Sequence, residues 1–302
     1  MNLSTTGLIL APDASIDLHL HTTCSDGTWT PEQLLDHLVR EQFSLAAITD
    51  HDRVDTVTVI QQLSLEKHLP VLVGVEMSTV WEDELSGIDE LSGQDNMTDL
   101  LCYGFGPPPN ALNDIARDLV RRQQENSREV FENIQYKGYT FPQEPDALAA
   151  ILDQPSPQQP FVLADLLTRY GYGTGQPSVG RILLEAGCKL EVNDLAAVVD
   201  AAHQSGAVCL IAHPGCKDGF VTYNVQMLDK LRQDIPIDGL EVYQPKHSPE
   251  QTAIYLEYVQ KNQLLISSGS DSHRPEKPPI KYRAELCRSL LEREASRLSE
   301  RT

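Results

Sequence analysis

Ile16-Asp-Leu-His-Leu-His-Thr-Thr-Cys-Ser-Asp26-Gly27 is the stretch whose reading decides the fold. Side chains alternate across a β-strand, so Asp17, His19 and His21 project to one face while Ile16, Leu18 and Leu20 project to the other. The apolar face is of the kind a strand buries. The other face sets two imidazoles side by side on a rigid backbone, and Asp26 follows five residues after His21 in a Ser-Asp-Gly turn. Neutral imidazole and carboxylate are ligands that suit divalent Zn, Mn and Fe. The plainer alternative is a strand edge carrying two solvated histidines, and the regularity of Leu-His-Leu-His favours metal over it.

Outward from this strand the same rhythm recurs: an apolar run of strand length, ended by His, Asp or Glu, then a helix. Thr30-Pro-Glu-Gln33 is a capping box with proline at the first helical position, and Leu34, Leu35, Leu38 and Val39 form the inner stripe of that helix. Leu45–Thr49 is a short buried strand running into Asp50-His51-Asp52. A helix over about 55–67 leads to the strand Val71–Val75, which ends at Glu76. The acidic stretch Trp81–Gly93, with its repeated Glu-Leu-Ser-Gly, reads as a surface loop, and partner docking is the alternative reading. Asp99–Phe105 is the next strand, closed by Pro107-Pro-Pro109.

Between about 110 and 187 the strand rhythm is absent. A long polar helix over 110–136 carries Arg117, Arg121, Arg122 and Arg128, and shorter helices follow near 146–153, 163–170 and 178–186. This predicts an inserted all-helical cap, with residues 1–106 and 191–302 forming the two halves of one barrel. The rhythm then resumes. Asn193 caps a helix to about Ser205. Ala207–Ala212 is a strand running into His213-Pro-Gly, and Gly239–Tyr243 is another, followed by Gln244-Pro-Lys-His247. Ser248-Pro-Glu-Gln251 is a second capping box, opening a helix to about Asn262. Leu264–Ser268 delivers Gly269-Ser-Asp271-Ser-His273, and a helix over 282–298 ends the pattern. Alternating strands and helices imply parallel strands with helical crossovers, and polar residues gathered at strand ends imply a barrel with its site at that mouth. Seven strands rather than eight predict a distorted (β/α)7 barrel of the α/β class.

Composition narrows the function classes. The 302 residues carry 44 acidic and 24 basic side chains, a formal charge of −20. Such a surface repels a phosphate backbone and argues against long nucleic acid, but a small anionic substrate stays in play because bound divalent ions reverse the local field. The six cysteines show no paired spacing and read as reduced thiols. No basic leader and no apolar run of membrane-spanning length is present, so the expectation is a cytoplasmic chain without membrane attachment.

The nine histidines are not scattered. His37, His68 and His203 fall on predicted helices and read as structural. The other six, His19, His21, His51, His213, His247 and His273, fall at the ends of predicted strands, where Asp26, Asp50, Glu76, Asp99 and Asp271 join them. Asp50 or Asp52 is a candidate to fix the tautomer of His51. A catalytic zinc takes three protein ligands and a water, so this many candidates predicts a cluster of two or three ions. Such ions polarise phosphoryl oxygens and activate water for in-line displacement. Mg suits the set less well, since it prefers oxygen ligands.

His19-x-His21 with Asp26, Thr49-Asp-His51, Gly74-Val-Glu76, Ala212-His-Pro214 and Gly269-Ser-Asp-Ser-His273 together resemble the motifs of the PHP (polymerase and histidinol phosphatase) superfamily. The resemblance covers about 1–105 and 190–275. The helical insertion and Tyr243–Gln251 look like the branch that contains a nucleoside 3′,5′-bisphosphate phosphatase and an RNA-trimming 5′→3′ exoribonuclease. The resemblance implies a distorted (β/α)7 barrel around a centre of Mn, Fe or Zn. It assigns His19, His21, Glu76 and Asp271 to one ion. Glu76, Asp99 and His213 go to a second, and Asp26, His51 and His273 to a third. His247 would face the substrate phosphate as general acid, with Arg128 and Arg181 as phosphate contacts. Two departures stand out: Asp99 replaces the histidine usual in that branch, and Gln176-Pro-Ser178 replaces its Arg-Pro-His.

The resulting expectation is a metal-dependent phosphoesterase acting on a small phosphorylated metabolite, a nucleoside 3′,5′-bisphosphate, with His213, His247 and Asp271 as catalytic residues. The alternatives are a 5′→3′ exonuclease on short oligoribonucleotides, a histidinol phosphate phosphatase, and a non-catalytic metal-binding regulatory protein.

Overall fold

The structure, a computed structural model, describes residues 9–81, 97–217 and 220–300, without the side chains of 298–300. The acidic loop expected after Trp81 falls almost wholly outside the described residues. Two compact units divide the chain: residues up to Ile115 together with those from Asn193 onward, and Ala116–Val192.

The first unit opens with β1 (Ser15–Leu20), α1 (Pro31–Arg40), β2 (Leu45–Ile48), α2 (Val57–Lys67) and β3 (Val71–Met77). Both bonds of the Thr30–Gln33 capping box form, and Leu34, Leu35 and Leu38 are fully buried. Each such burial contributes about 1.5–3 kcal/mol. Val39, expected on the same stripe, is 43% exposed instead. A short β4 (Thr79–Val80) precedes β5 (Leu100–Tyr103). The helical segment then runs from α3 (Ala111–Tyr136) through α4 (Ala147–Leu152) and α5 (Gln159–Arg169) to α6 (Val179–Glu185). After it come β6 (Asn193–Asp194), α7 (Leu195–Gln204), β7 (Val208–Ile211), α8 (Val225–Asp234) and β8 (Gly239–Tyr243). The chain ends with α9 (Pro249–Asn262), β9 (Leu265–Ser268), β10 (Tyr282–Arg283) and α10 (Arg288–Glu300).

All seven expected strands are present, in one eight-stranded sheet of order β10-β1-β2-β3-β5-β7-β8-β9. The segment after β9 returns to β1: the Asp271 amide donates to the His19 carbonyl and the His21 amide to the Ser272 carbonyl, 3.0 Å each, so the sheet is a nearly closed barrel. The all-parallel expectation fails at β5, which runs antiparallel to both β3 and β7. A parallel return needs a long crossover, usually a helix, and none separates β3 from β5 among the described residues. The reversal matters for the site. It brings Asp99, just ahead of β5, to the same end of the sheet as Glu76 near the end of β3.

Three local expectations also change. Asn193 does not cap α7; it pairs with Thr79 in a two-stranded ribbon, and Asp194 caps the helix. The stretch from Tyr282 begins as strand rather than helix, because the buried Asp17 carboxylate accepts the Ile280 amide and lays this segment alongside β1. Helix α8, capped by Asn224 and burying Met227, Leu228 and Leu231, had no counterpart in the sequence reading.

In the second unit Val130, Ile134, Leu163, Leu167 and Ile182 are among the residues of an apolar core. Ser178 caps α6 by accepting the Arg181 amide. Among the described residues no helix is long and apolar enough to cross a membrane.

Candidate metal centre

Strand β1 delivers His19 and His21 fully buried, with their Nε2 atoms 3.0 Å apart. Both face Glu76 Oε2, at 2.8 and 3.0 Å, and Asp271 Oδ1, at 3.6 and 3.4 Å. Two further groups adjoin this one. His51, Glu76 and Asp99 bring ligand atoms within 4.8 Å of one another, and so do His21, Asp26, His51 and His273. His213 Nε2 lies 3.1 Å from Glu76 Oε1 and 3.8 Å from Asp99 Oδ2. The stacked His21, His51 and His273 rings complete the wall, with His21 and His273 centroids 4.1 Å apart. All nine residues expected as ligands therefore meet at one end of the barrel, with Glu76 touching two of the three groups.

Three observations test whether cations fit here. Imidazole nitrogens and carboxylate oxygens converge on shared points rather than pairing off. Asp99 Oδ1 is buried without a hydrogen-bond partner. Burial and the neighbouring Glu76 charge push the Asp99 carboxyl well above its ordinary range. Burial would raise Glu76 as well, but His19 and His51 outweigh it and hold that carboxyl well below. The imidazoles hold Glu76 ionised but leave Asp99 without enough positive charge, which a divalent ion would supply. The residues fit the metal.

The supporting contacts explain how the ligands are held. His19 Nδ1 lies 3.0 Å from Glu241 Oε1, the arrangement that fixes a tautomer and raises ligand basicity. The same Glu241 accepts the His213 amide through its other oxygen. Glu241 escaped the sequence reading, although a lone carboxylate inside Gly239-Leu-Glu-Val-Tyr243 was the available signal. Gly269 is required beside it, since a Cβ there would overlap that of His19. Asp17 accepts the amides of Ser270 and Ile280 and so anchors the loop that carries Asp271 and His273; burial pushes its carboxyl up to about 7. His213 and Asp271 both adopt positive φ, 28° and 54°, a strain of about 1–3 kcal/mol each that functional sites commonly store.

Other expectations are redirected. Asp50 does not orient His51; it accepts Thr22 N, Thr22 Oγ1 and Ser25 Oγ, each at 2.7 Å, and thereby shapes the turn leading to Asp26. The His247 ring is held by backbone atoms. Its Nδ1 donates to the Val242 carbonyl and its Nε2 accepts the Gly215 amide, so both nitrogens are committed to backbone, and burial lowers its basicity. The adjacent Lys246, overlooked in the sequence, reaches Asp271 Oδ2 at 2.9 Å. Arg128 and Arg181 both belong to the helical unit, and Arg181 there pairs with Glu185.

Residues 17–154 match the family model of the PHP domain. That stretch is similar to PHP domains. It is 27% identical over 270 residues to the 5′-3′ exoribonuclease Rnm of Salmonella typhimurium, covering 86% of this chain and 85% of the relative. It is 26% identical over 271 residues to the 3′,5′-nucleoside bisphosphate phosphatase of Chromobacterium violaceum, covering 87% and 88%. The crystal structure of a Bifidobacterium adolescentis protein described as a metal-dependent phosphoesterase superposes with a TM-score of 0.68 at 23% identity, covering 96% of this chain and 98% of that one. The curated relatives are named for phosphoester chemistry, and the Bifidobacterium structure shares the fold. Beyond residue 154, His213, Asp271 and His273 come to the same site as His19 and His21.

Proposed function

We propose that the protein removes a phosphate from a small nucleotide, a nucleoside 3′,5′-bisphosphate, using two or three divalent ions of Mn, Fe or Zn. The observation that carries this reading is the convergence of three histidine–carboxylate groups around Glu76 in one buried site. His19, His21, Glu76 and Asp271 would hold one ion. Glu76, Asp99, His213 and His51 would surround a second, and Asp26, His51, His273 and His21 a third. Bound there, such ions neutralise phosphoryl charge and make water nucleophilic near neutral pH.

The chain's own contribution is positional. Glu241 holds His19 in register, Asp17 and Gly269 hold the loop carrying Asp271, and Asp50 holds the turn before Asp26. Burial excludes bulk water from His19, His21 and Glu76, which strengthens every electrostatic contact made at them. His213 and Asp271 are proposed as the residues on which turnover depends most. The bisphosphatase of C. violaceum supports the mononucleotide substrate, and a net charge of −20 favours it over a long polymer. A second reading, stepwise 5′→3′ trimming of short oligoribonucleotides, is supported by the similarity to Rnm.

The test is phosphate release from adenosine 3′,5′-bisphosphate, AMP and a 5′-phosphorylated trinucleotide, with added Mn and after chelation. Chelator-sensitive release from the bisphosphate is the expected result. Degradation of the trinucleotide with no release from the bisphosphate moves the assignment to the second reading, and inactivity on all three overturns both.

A further inference from the structure

Beside the metal centre the barrel unit opens into a cavity of about 860 Å³, within the range of small-ligand pockets. Asp26, Asp271 and His273 form its inner wall, and Lys246, Arg274 and Lys277 are its cationic lining. Three basic side chains around one opening contrast with a chain in which acids outnumber bases by 44 to 24. The inner carboxylates are already engaged: Asp26 Oδ2 lies 3.2 Å from His273 Nε2, and Asp271 Oδ1 faces the imidazoles of His19 and His21. Asp271 Oδ2 points the other way, to Lys246, so this carboxylate joins the metal centre to the cavity. Arg274 and Lys277 are exposed, and neither makes an ion pair among the described residues. Their backbones pair with each other across the turn after His273, which keeps both on one short loop.

We propose that Lys246, Arg274 and Lys277 form the subsite for the substrate's second phosphate, the one that is not cleaved. The proposal rests on the nucleotide reading above and deepens it, because it places the specificity for a bisphosphate on the barrel rather than on Arg128 and Arg181 of the helical unit. A phosphomonoester dianion suits the set: arginine can grip two of its oxygens at once, while the lysines act as point charges. The scissile phosphate would lie at the histidines, with the nucleoside spanning the interval.

The test compares kcat/KM on adenosine 3′,5′-bisphosphate with kcat/KM on AMP, for the wild type, for R274Q/K277Q and for R128Q/R181Q. The ratio is expected to fall about tenfold in R274Q/K277Q, as loss of charged hydrogen bonds predicts, and to hold in R128Q/R181Q. A ratio that stays within about twofold in R274Q/K277Q, or that falls only in R128Q/R181Q, overturns the assignment. If the wild type turns over no nucleotide, the substrate reading fails on its own. The subsite is then judged by calorimetric titration of the chelated protein with inorganic pyrophosphate. Binding weakened in R274Q/K277Q upholds a phosphate site, and equal binding or none refutes it.

Discussion

Buried carboxylates meet different partners in the two units. In the helical unit Glu191 is largely buried, and the unit's own Arg122 and Lys189 reach it at 2.7 and 2.8 Å. Arg121 with Asp118 and Glu125, Arg169 with Glu144, and Arg181 with Glu185 form exposed ion pairs in that unit. In the barrel unit Glu76 and Asp99 are fully or almost fully buried, and among the described residues no lysine or arginine pairs with either; histidines surround them instead. A scaffold pairs its carboxylates with arginine and lysine, whereas a site that takes a cation gathers carboxylates with imidazoles, whose nitrogens can exchange a proton for the ion. The helical unit follows the first rule and the barrel mouth the second.

The strongest way to break this contrast is to remove a histidine or carboxylate from the mouth. His213→Ala and Asp271→Ala are each expected to lower phosphate release on the order of a thousandfold while circular dichroism stays that of the wild type. Near-normal turnover in either variant would remove that residue from the site. A comparable free energy, spent on folding rather than chemistry, is expected in the other unit. Leu167→Ala deletes a fully buried side chain and should cost about 2–5 kcal/mol in urea denaturation. An unchanged midpoint would mean that the helical core does not cohere as described.

The supporting contacts come next. Glu241→Gln keeps the shape but weakens the acceptor at His19 Nδ1, so metal affinity in a competition titration should fall about 10–100-fold. Unaltered affinity would reduce Glu241 to packing. Chelation should lower the melting temperature of the wild type, since an ion that binds only the folded state stabilises it by mass action, and His213→Ala should show a smaller drop. The smallest effect belongs to the exposed pairs. Arg121→Ala is expected to leave the melting temperature unchanged within error, because exposed ion pairs are screened. A clear drop would sink the rule drawn for the helical unit.

Much of this was legible in the residues. The alternation of Ile16–Leu20, the two capping boxes at Thr30 and Ser248, and the histidines at strand ends all depend on backbone periods and short-range bonds, which a chain segment carries wherever it lies. Five of the six strand-end histidines, His247 apart, meet with Asp26, Glu76, Asp99 and Asp271 at one end of the barrel. Resemblance to the PHP motifs came from the same local stretches.

Tertiary structure decided what depends on partners far along the chain. Strand β5 runs antiparallel to β3, and that reversal carries Asp99 to the mouth beside Glu76. Glu241 becomes the partner of His19 across 222 residues, and the His247 ring is taken up by the carbonyl of Val242 and the amide of Gly215. Local sequence sets which groups are available and which way each faces along its own strand. Which of them meet is set by how the strands pair and close, because most of a side chain's neighbours in a barrel come from other strands.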